Sequence, residues 1–143
     1  MIQIKFPDHS FKIKEMEGKE CIWDEFRKQW IKLTPEEWVR QNLLQYFTQE
    51  LGIPASLIAV EKEIRLGELK KRFDILVYKD SKPWMMVECK EMDTPINESV
   101  LKQVLNYNIS LSVQYIVVTN GKSHFAFELK NEKIIELSSI PKF

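Results

Sequence analysis

The chain has 143 residues, enough for one domain whose core needs neither a disulfide nor a metal staple. Its 21 Lys+Arg balance 21 Asp+Glu while 44% of residues are hydrophobic, which excludes a disordered tail and a chain-wide cationic surface. Any contact with a polyanion must therefore be a local patch.

At the N-terminus Ile2, Ile4 and Phe6 alternate with Gln3 and Lys5, and after Pro7-Asp8-His9-Ser10 the period of two resumes at Phe11, Ile13 and Glu15. This pattern predicts a β-hairpin. Its charges and Pro7 fall where a signal peptide needs an apolar stretch, and no run of about 18 apolar residues follows, so a cytoplasmic protein without a membrane span is expected. Residues 16–33 mix aromatic and charged side chains with no single period, and residues 1–33 are read together as a strand-rich extension.

Thr34-Pro35-Glu36-Glu37 is a helix start. Thr34 can cap, Pro35 suits the first helical position, and Glu37 stands where a capping box places its acid. Leu33 and Trp38 occupy the staple positions, Val39, Leu43, Phe47 and Leu51 form one stripe, and Gly52-Ile53-Pro54 ends the helix. Strands are predicted over 57–66, 73–78 and 84–89, joined by turns at 67–70 and 79–83 as an antiparallel meander. A second helix over about 97–111, with Val100, Val104, Tyr107 and Leu111 on one stripe, leads to an apolar strand at 115–119 and two further strand candidates at 125–129 and 134–137. Helix, three strands, helix, strand makes an α/β fold: a mixed sheet with helices on both faces over residues 34–143.

Cys21 and Cys89, far apart in sequence, give neither a disulfide framework nor a zinc spacing, and with only His9 and His124 a His/Cys metal cluster is excluded. The chemistry-bearing stretch is Arg72-Phe73-Asp74 followed across a turn by Glu88-Cys89-Lys90. Glu88 and Lys90, two apart on a strand, project from one face, while Cys89 points the other way. If the turn centres on Ser81, Asp74 falls opposite Glu88, with Cβ atoms about 4.5–5.5 Å apart. Two carboxylates so placed repel unless a cation joins them. Oxygen ligands with open positions suit Mg²⁺ or Mn²⁺. A lysine side chain in water carries its proton at neutral pH, so Lys90 is read as an electrostatic group rather than a base. The other reading of the trio is a surface ion-pair cluster.

Four stretches in order carry a resemblance: residues 22–28 with 33–41, Lys71 to Tyr78, Val87-Glu88-Cys89-Lys90, and Gln103 with Tyr107-Asn108 followed by Val118-Thr119-Asn120-Gly121. Together they resemble the N-terminal domain family of type I restriction enzyme R subunits, a branch of the PD-(D/E)XK nucleases. The resemblance implies a three-layer α/β/α restriction-endonuclease-like core and metal-dependent hydrolysis of DNA phosphodiester bonds. It implies Asp74 and Glu88 as ligands of Mg²⁺ or Mn²⁺, the carbonyl of Cys89 as a third, Lys90 as the catalytic lysine, and Gln103 and Tyr107 as a flanking QxxxY pair. Glu37 keeps two readings, the capping-box acid and the first-helix glutamate that approaches the metal in some members.

No proline precedes Asp74, a departure from the literal signature. R subunits attach this domain to an ATP-driven translocase. Here Gly121-Lys122-Ser123 is similar to a P-loop tail, but Ile116 stands where the first glycine belongs. A separately encoded ATP-dependent motor or specificity subunit is thus an expected partner beside DNA, with a homodimer as one route to double-strand cleavage. Lys71, Arg72 and Lys102, with Tyr107, are the expected nucleic-acid contacts, although lysines also protect exposed strand edges. A nuclease fold that binds nucleic acid or a protein without cleaving it is the alternative.

Overall fold

The computed structural model describes residues 2–109 and 111–143, with Leu66 as backbone only. The described residues form two sheets, two α-helices and one short 3-10 turn.

The first sheet is an antiparallel meander of β1 (Ile13–Met16), β2 (Lys19–Asp24) and β3 (Gln29–Lys32). Glu17 and Gly18, with φ of 52° and 78°, make the two-residue turn between β1 and β2. The hairpin expected across residues 2–15 does not form. Ile13 pairs with Ile22 instead, and Ile2 makes a single bridge to His124, its N–H donating to the His124 carbonyl at 2.9 Å. Ile2, Ile4 and Phe6 are covered by the main core rather than by each other, so their alternation marks one buried edge, not a paired strand.

Helix α1 (Pro35–Gln49) starts as the sequence dictates: Thr34 Oγ1 accepts the Glu37 N–H at 3.0 Å, and Val39, Leu43 and Phe47 are buried. A short 3-10 turn (Ala55–Leu57) leads into the six-stranded sheet. Its strands are β4 (Ile58–Leu66), β5 (Leu69–Lys79), β6 (Lys82–Cys89), β7 (Tyr115–Thr119), β8 (His124–Lys130) and β9 (Lys133–Leu137), in sequence order. All neighbours are antiparallel except β6 and β7, which are parallel because α2 (Glu98–Asn108) crosses between them.

Strand alternation divides the core. Ile75, Val77, Met85, Val87, Cys89 and Val117 face α1 with Val39, Leu43 and Phe47. Leu76, Met86, Ile116 and Val118 face α2 with Val104 and Leu105. The result is an α/β/α sandwich with buried central strands, as expected when both faces are covered. Helix α2 ends three residues earlier than its stripe predicts, and its buried face is turned: Leu105 and Asn108 are buried while Tyr107 is exposed. Leu111 reaches the core from the turn after the helix, where its N–H donates to the Asn108 carbonyl. No helix among the described residues is long and apolar enough to cross a membrane.

Candidate functional site

The β5–β6 hairpin brings the predicted trio together. Its turn is Asp80–Ser81, both at positive φ, a two-residue turn with the hand that a twisted hairpin favours. The register then shifts between Val77 and Tyr78, so that Ile75 lies opposite Val87. In line with that register Asp74 reaches the end of β6, where its Oδ2 accepts the Cys89 N–H at 2.7 Å. Glu88 Oε1 lies 3.3 Å from Lys90 Nζ, and the Lys90 N–H donates to the Thr119 carbonyl on β7 at 2.7 Å. Burial, then the charge of Asp74, pushes the Glu88 carboxyl above its ordinary pKa, with Lys90 opposing. Burial and Asp74 also push the Cys89 thiol well up, which suits a side chain turned into the core.

The first turn of α1 closes the site from one side. Glu37 does not reach back as a capping box requires. Its buried carboxylate takes Arg40 Nη1 at 2.7 Å, Arg27 Nη2 at 2.8 Å and Gln41 Nε2 at 3.1 Å. Arg27 is itself held by Asp24, which folds the β2–β3 loop by accepting the N–H groups of Phe26 and Arg27. Arg40 then turns its Nη2 to Asp74 Oδ1 at 2.9 Å and Glu61 Oε1 at 2.7 Å, with Glu36 Oε1 at 3.4 Å. Burial lowers the Arg40 pKa, but Glu37, Asp74 and Glu61 outweigh it and the net shift is upward. Burial, then Asp74, raises Glu36.

Glu61 takes φ of 54° within β4, a left-handed conformation that costs a non-glycine residue about 1–2 kcal/mol. The ladder pairs Val60 with Ile75 and Lys62 with Phe73, leaving Glu61 out of it. Its carboxylate bridges Arg40 and Arg72, the latter at 2.9 Å. Backbone strain of this kind persists where surrounding contacts over-determine it, and here it lies beside Asp74.

A cleft of about 400 Å³ opens between the sheet and α2, lined by Arg72, Glu88, Lys90, Gln103, Tyr107 and Asn108, among others. Gln103, Tyr107 and Arg72 thus share one wall system with Glu88 and Lys90. Two expected nucleic-acid contacts have partners on α2. Lys71 is buried, its ammonium on the Tyr107 carbonyl and 4.6 Å from that ring, and Lys102 pairs with Glu98 along the exposed side of α2. Glu37 lies outside the cleft and meets Asp74 only through Arg40.

A family model described as the type I restriction enzyme R protein N terminus matches residues 35–141. The chain belongs to that family. A search of curated proteins finds no match. The R-protein N-terminal match starts at the first residue of α1 and takes in the whole six-stranded sheet, so every residue of the site lies within it except Asp24 and Arg27. The three-stranded meander precedes it.

Among the described residues no group of three or more His, Cys, Asp or Glu side chains is arranged to hold a metal ion. The donor set on offer is two carboxylates, Asp74 and Glu88, with the main chain of Cys89 between them. That set fits a hard cation that keeps most of its waters, since each carboxylate oxygen has a second lone pair beyond its present partner. Burial first and Asp74 second raise the Glu88 carboxyl, so a cation between the two acids would relieve the lesser of the two causes. Helical spacing accounts for the pairing of Arg40 with Glu36 and Glu37, four and three residues before it. Its reach to Asp74 and Glu61, and the arrival of Arg27, carried no sequence signal because both cross between separate elements.

Proposed function

We propose that this R-protein N-terminal domain is a Mg²⁺- or Mn²⁺-dependent endonuclease of the PD-(D/E)XK type that hydrolyses DNA phosphodiester bonds. The observation that carries this reading is the meeting of Asp74, Glu88 and Lys90 at the ends of β5 and β6, at the mouth of a polar cleft. Asp74 and Glu88 would hold the cation, with the Cys89 carbonyl beside them. A cation bound there lowers the pKa of water and polarises a phosphoryl oxygen.

The remaining roles belong to the chain itself. Asp74 is held from two sides, by the Cys89 N–H and by Arg40, so its carboxylate is aimed before substrate arrives. Lys90, tied to Glu88 on one side and with its backbone fixed to β7, offers its ammonium to the negative charge that grows on the phosphoryl oxygens. Gln103 stands across the cleft as a neutral hydrogen-bonding group for the attacking water or a phosphate oxygen. Glu37 acts at one remove, fixing Arg40 and through it Asp74. DNA is the proposed substrate, and a separately encoded ATP-dependent motor or specificity subunit, or a second copy of the chain, is the proposed partner for double-strand cleavage.

A second reading, a module that binds without cleaving, draws on Arg40. Its guanidinium already neutralises the carboxylate that a metal would use. Cleavage of plasmid with Mn²⁺ separates the two. Activity in the wild type and its loss in Lys90→Ala supports the endonuclease, whereas equal cleavage by both points to a contaminant. Calorimetry supplies the second arm: absence of any Mn²⁺ binding that Asp74→Ala abolishes removes the enzyme reading.

A further inference from the structure

Strand β6 pairs with β5 only from Ile75 to Lys79. Beyond Asp74 the meander continues as β4 and β5 alone, through Lys62↔Phe73, Glu63↔Arg72, Ile64↔Lys71, Arg65↔Lys70 and Leu66↔Leu69. At about 3.4 Å per residue this two-stranded ribbon extends roughly 17 Å past the site. Its two faces differ. Phe73, Ile64 and Lys71 pack on the side of α2. The other face carries Glu63, Arg65, Lys70 and Arg72, all exposed, three cations against one carboxylate, and at Arg72 it meets the rim of the cleft that holds Glu88 and Lys90.

The cross-strand pairing of that face is unusual. Arg65 stands directly opposite Lys70, an arrangement that destabilises a sheet unless an anion lies between the two. Glu63 sits 3.9 Å from Lys70 and leaves Arg65 without an ion-pair partner among the described residues. Protection of an exposed strand edge accounts for Arg65 on the edge strand β4. Beyond Asp74 strand β5 too has a free edge, so the same protection covers Lys70 and Arg72 singly; what it leaves unexplained is Arg65 set directly opposite Lys70.

We propose that the outer face of the β4–β5 ribbon binds the phosphate backbone of double-stranded DNA and lays the duplex across Asp74, Glu88 and Lys90; the inference rests on the endonuclease reading and names its substrate as duplex. A two-stranded ribbon fits a major groove about 12 Å wide, whereas a single strand offers no groove to receive it. Like-charged neighbours on the ribbon match phosphates on a backbone better than they match each other. Arg72 links the ribbon to the site, since its guanidinium already pairs with Glu61 at the base of the hairpin.

Fluorescence anisotropy on the full chain tests this, with labelled duplex and the single strand of the same sequence in EDTA at low salt. Arg65→Glu/Lys70→Glu should weaken duplex binding about tenfold or more, and the neutral Arg65→Gln/Lys70→Gln should lower the slope of log K against log salt by about 2. The control pair Lys12→Glu/Lys32→Glu, exposed just before β1 and at the end of β3, should leave binding unchanged. Thermal melts confirm that each variant is folded. A folded ribbon variant with wild-type duplex affinity, an equal loss in the control pair, a wild type that binds no DNA, or a wild-type preference for the single strand each overturns the assignment. Mn²⁺ cleavage keeps the two readings apart. A wild type that binds duplex through the ribbon but never cleaves leaves the ribbon and removes the endonuclease. One that cleaves, with ribbon variants binding as wild type, does the reverse.

Discussion

Replacing Arg40 by methionine should unsettle the site more than any other single truncation. Arg40 is buried and touches Glu36, Glu37, Glu61 and Asp74. Removing one partner of a buried charge network costs about 3–5 kcal/mol, because the groups left behind stay desolvated without a counter-charge. Each of the innermost carboxylates keeps something: Glu37 retains Arg27 and Gln41, Glu61 retains Arg72, and Asp74 retains the Cys89 N–H. The buried Arg40 Nε has no hydrogen-bond partner, so its loss returns a little stability. Both considerations place the cost near the lower end, about 3 kcal/mol. For a domain of this size that is roughly a 10 °C fall in Tm. Calorimetric melts at pH 7 in EDTA should show it, with Arg40→Lys recovering only part, since one ammonium cannot span Glu37 and Asp74 as the guanidinium fork does. A Tm for Arg40→Met within about 2 °C of the wild type would refute the view that this guanidinium neutralises the site.

Other perturbations probe separate parts of the molecule. The Glu88 carboxyl is shifted upward, so the folded state holds its proton more tightly than the unfolded chain does; stability then falls as pH rises from the unfolded value through the folded one. In metal-free buffer Glu88→Gln should therefore be more stable than wild type at pH 7, with the gain vanishing in acid; a gain that grows in acid would contradict the assigned direction. Native-state alkylation followed by mass spectrometry should label Cys21, which is half-buried, and spare Cys89, which is buried with its thiol pKa pushed well up. Equal labelling of the two would mean that the strand end opens readily. Gly121, at φ +89°, would bring a Cβ to 3.1 Å from Val39 Cγ2, so Gly121→Ala should cost about 2–3 kcal/mol by combining backbone strain with a shift of α1. Gly18→Ala, with the same hand but open space, should cost about 1 kcal/mol by denaturant unfolding. Equal losses at the two would remove the packing part.

Local chemistry decided most of what was legible beforehand. The Thr34-Pro35 start, the strands of the meander and the apolar run at 115–119 are specified by caps, period and turn residues within a few positions, and they form where expected, except that β5 starts at Leu69, inside the predicted turn and four residues early. The approach of Asp74 to the end of β6 was also within reach, though for an incomplete reason. The turn is Asp80–Ser81 rather than one centred on Ser81, and the irregularity after Val77 restores the register nearer the site. At the N-terminus the alternation of Ile2, Ile4 and Phe6 was real, but period alone does not say what covers the apolar face.

The sequence by itself thus determined the α/β layering and the placing of Asp74, Glu88 and Lys90 at one end of a hairpin, because each depends on spacing along one hairpin or one helix, and four stretches in order carried the family. Only the tertiary structure decided where the charges go. It set Glu37 between Arg27 and Arg40, turned Lys71 onto Tyr107 and bent Glu61 out of its ladder, its carboxylate on Arg40 and Arg72. These outcomes join elements distant in the chain. A buried carboxylate takes whichever cation the packed layers bring within reach, and no local pattern records which one that is.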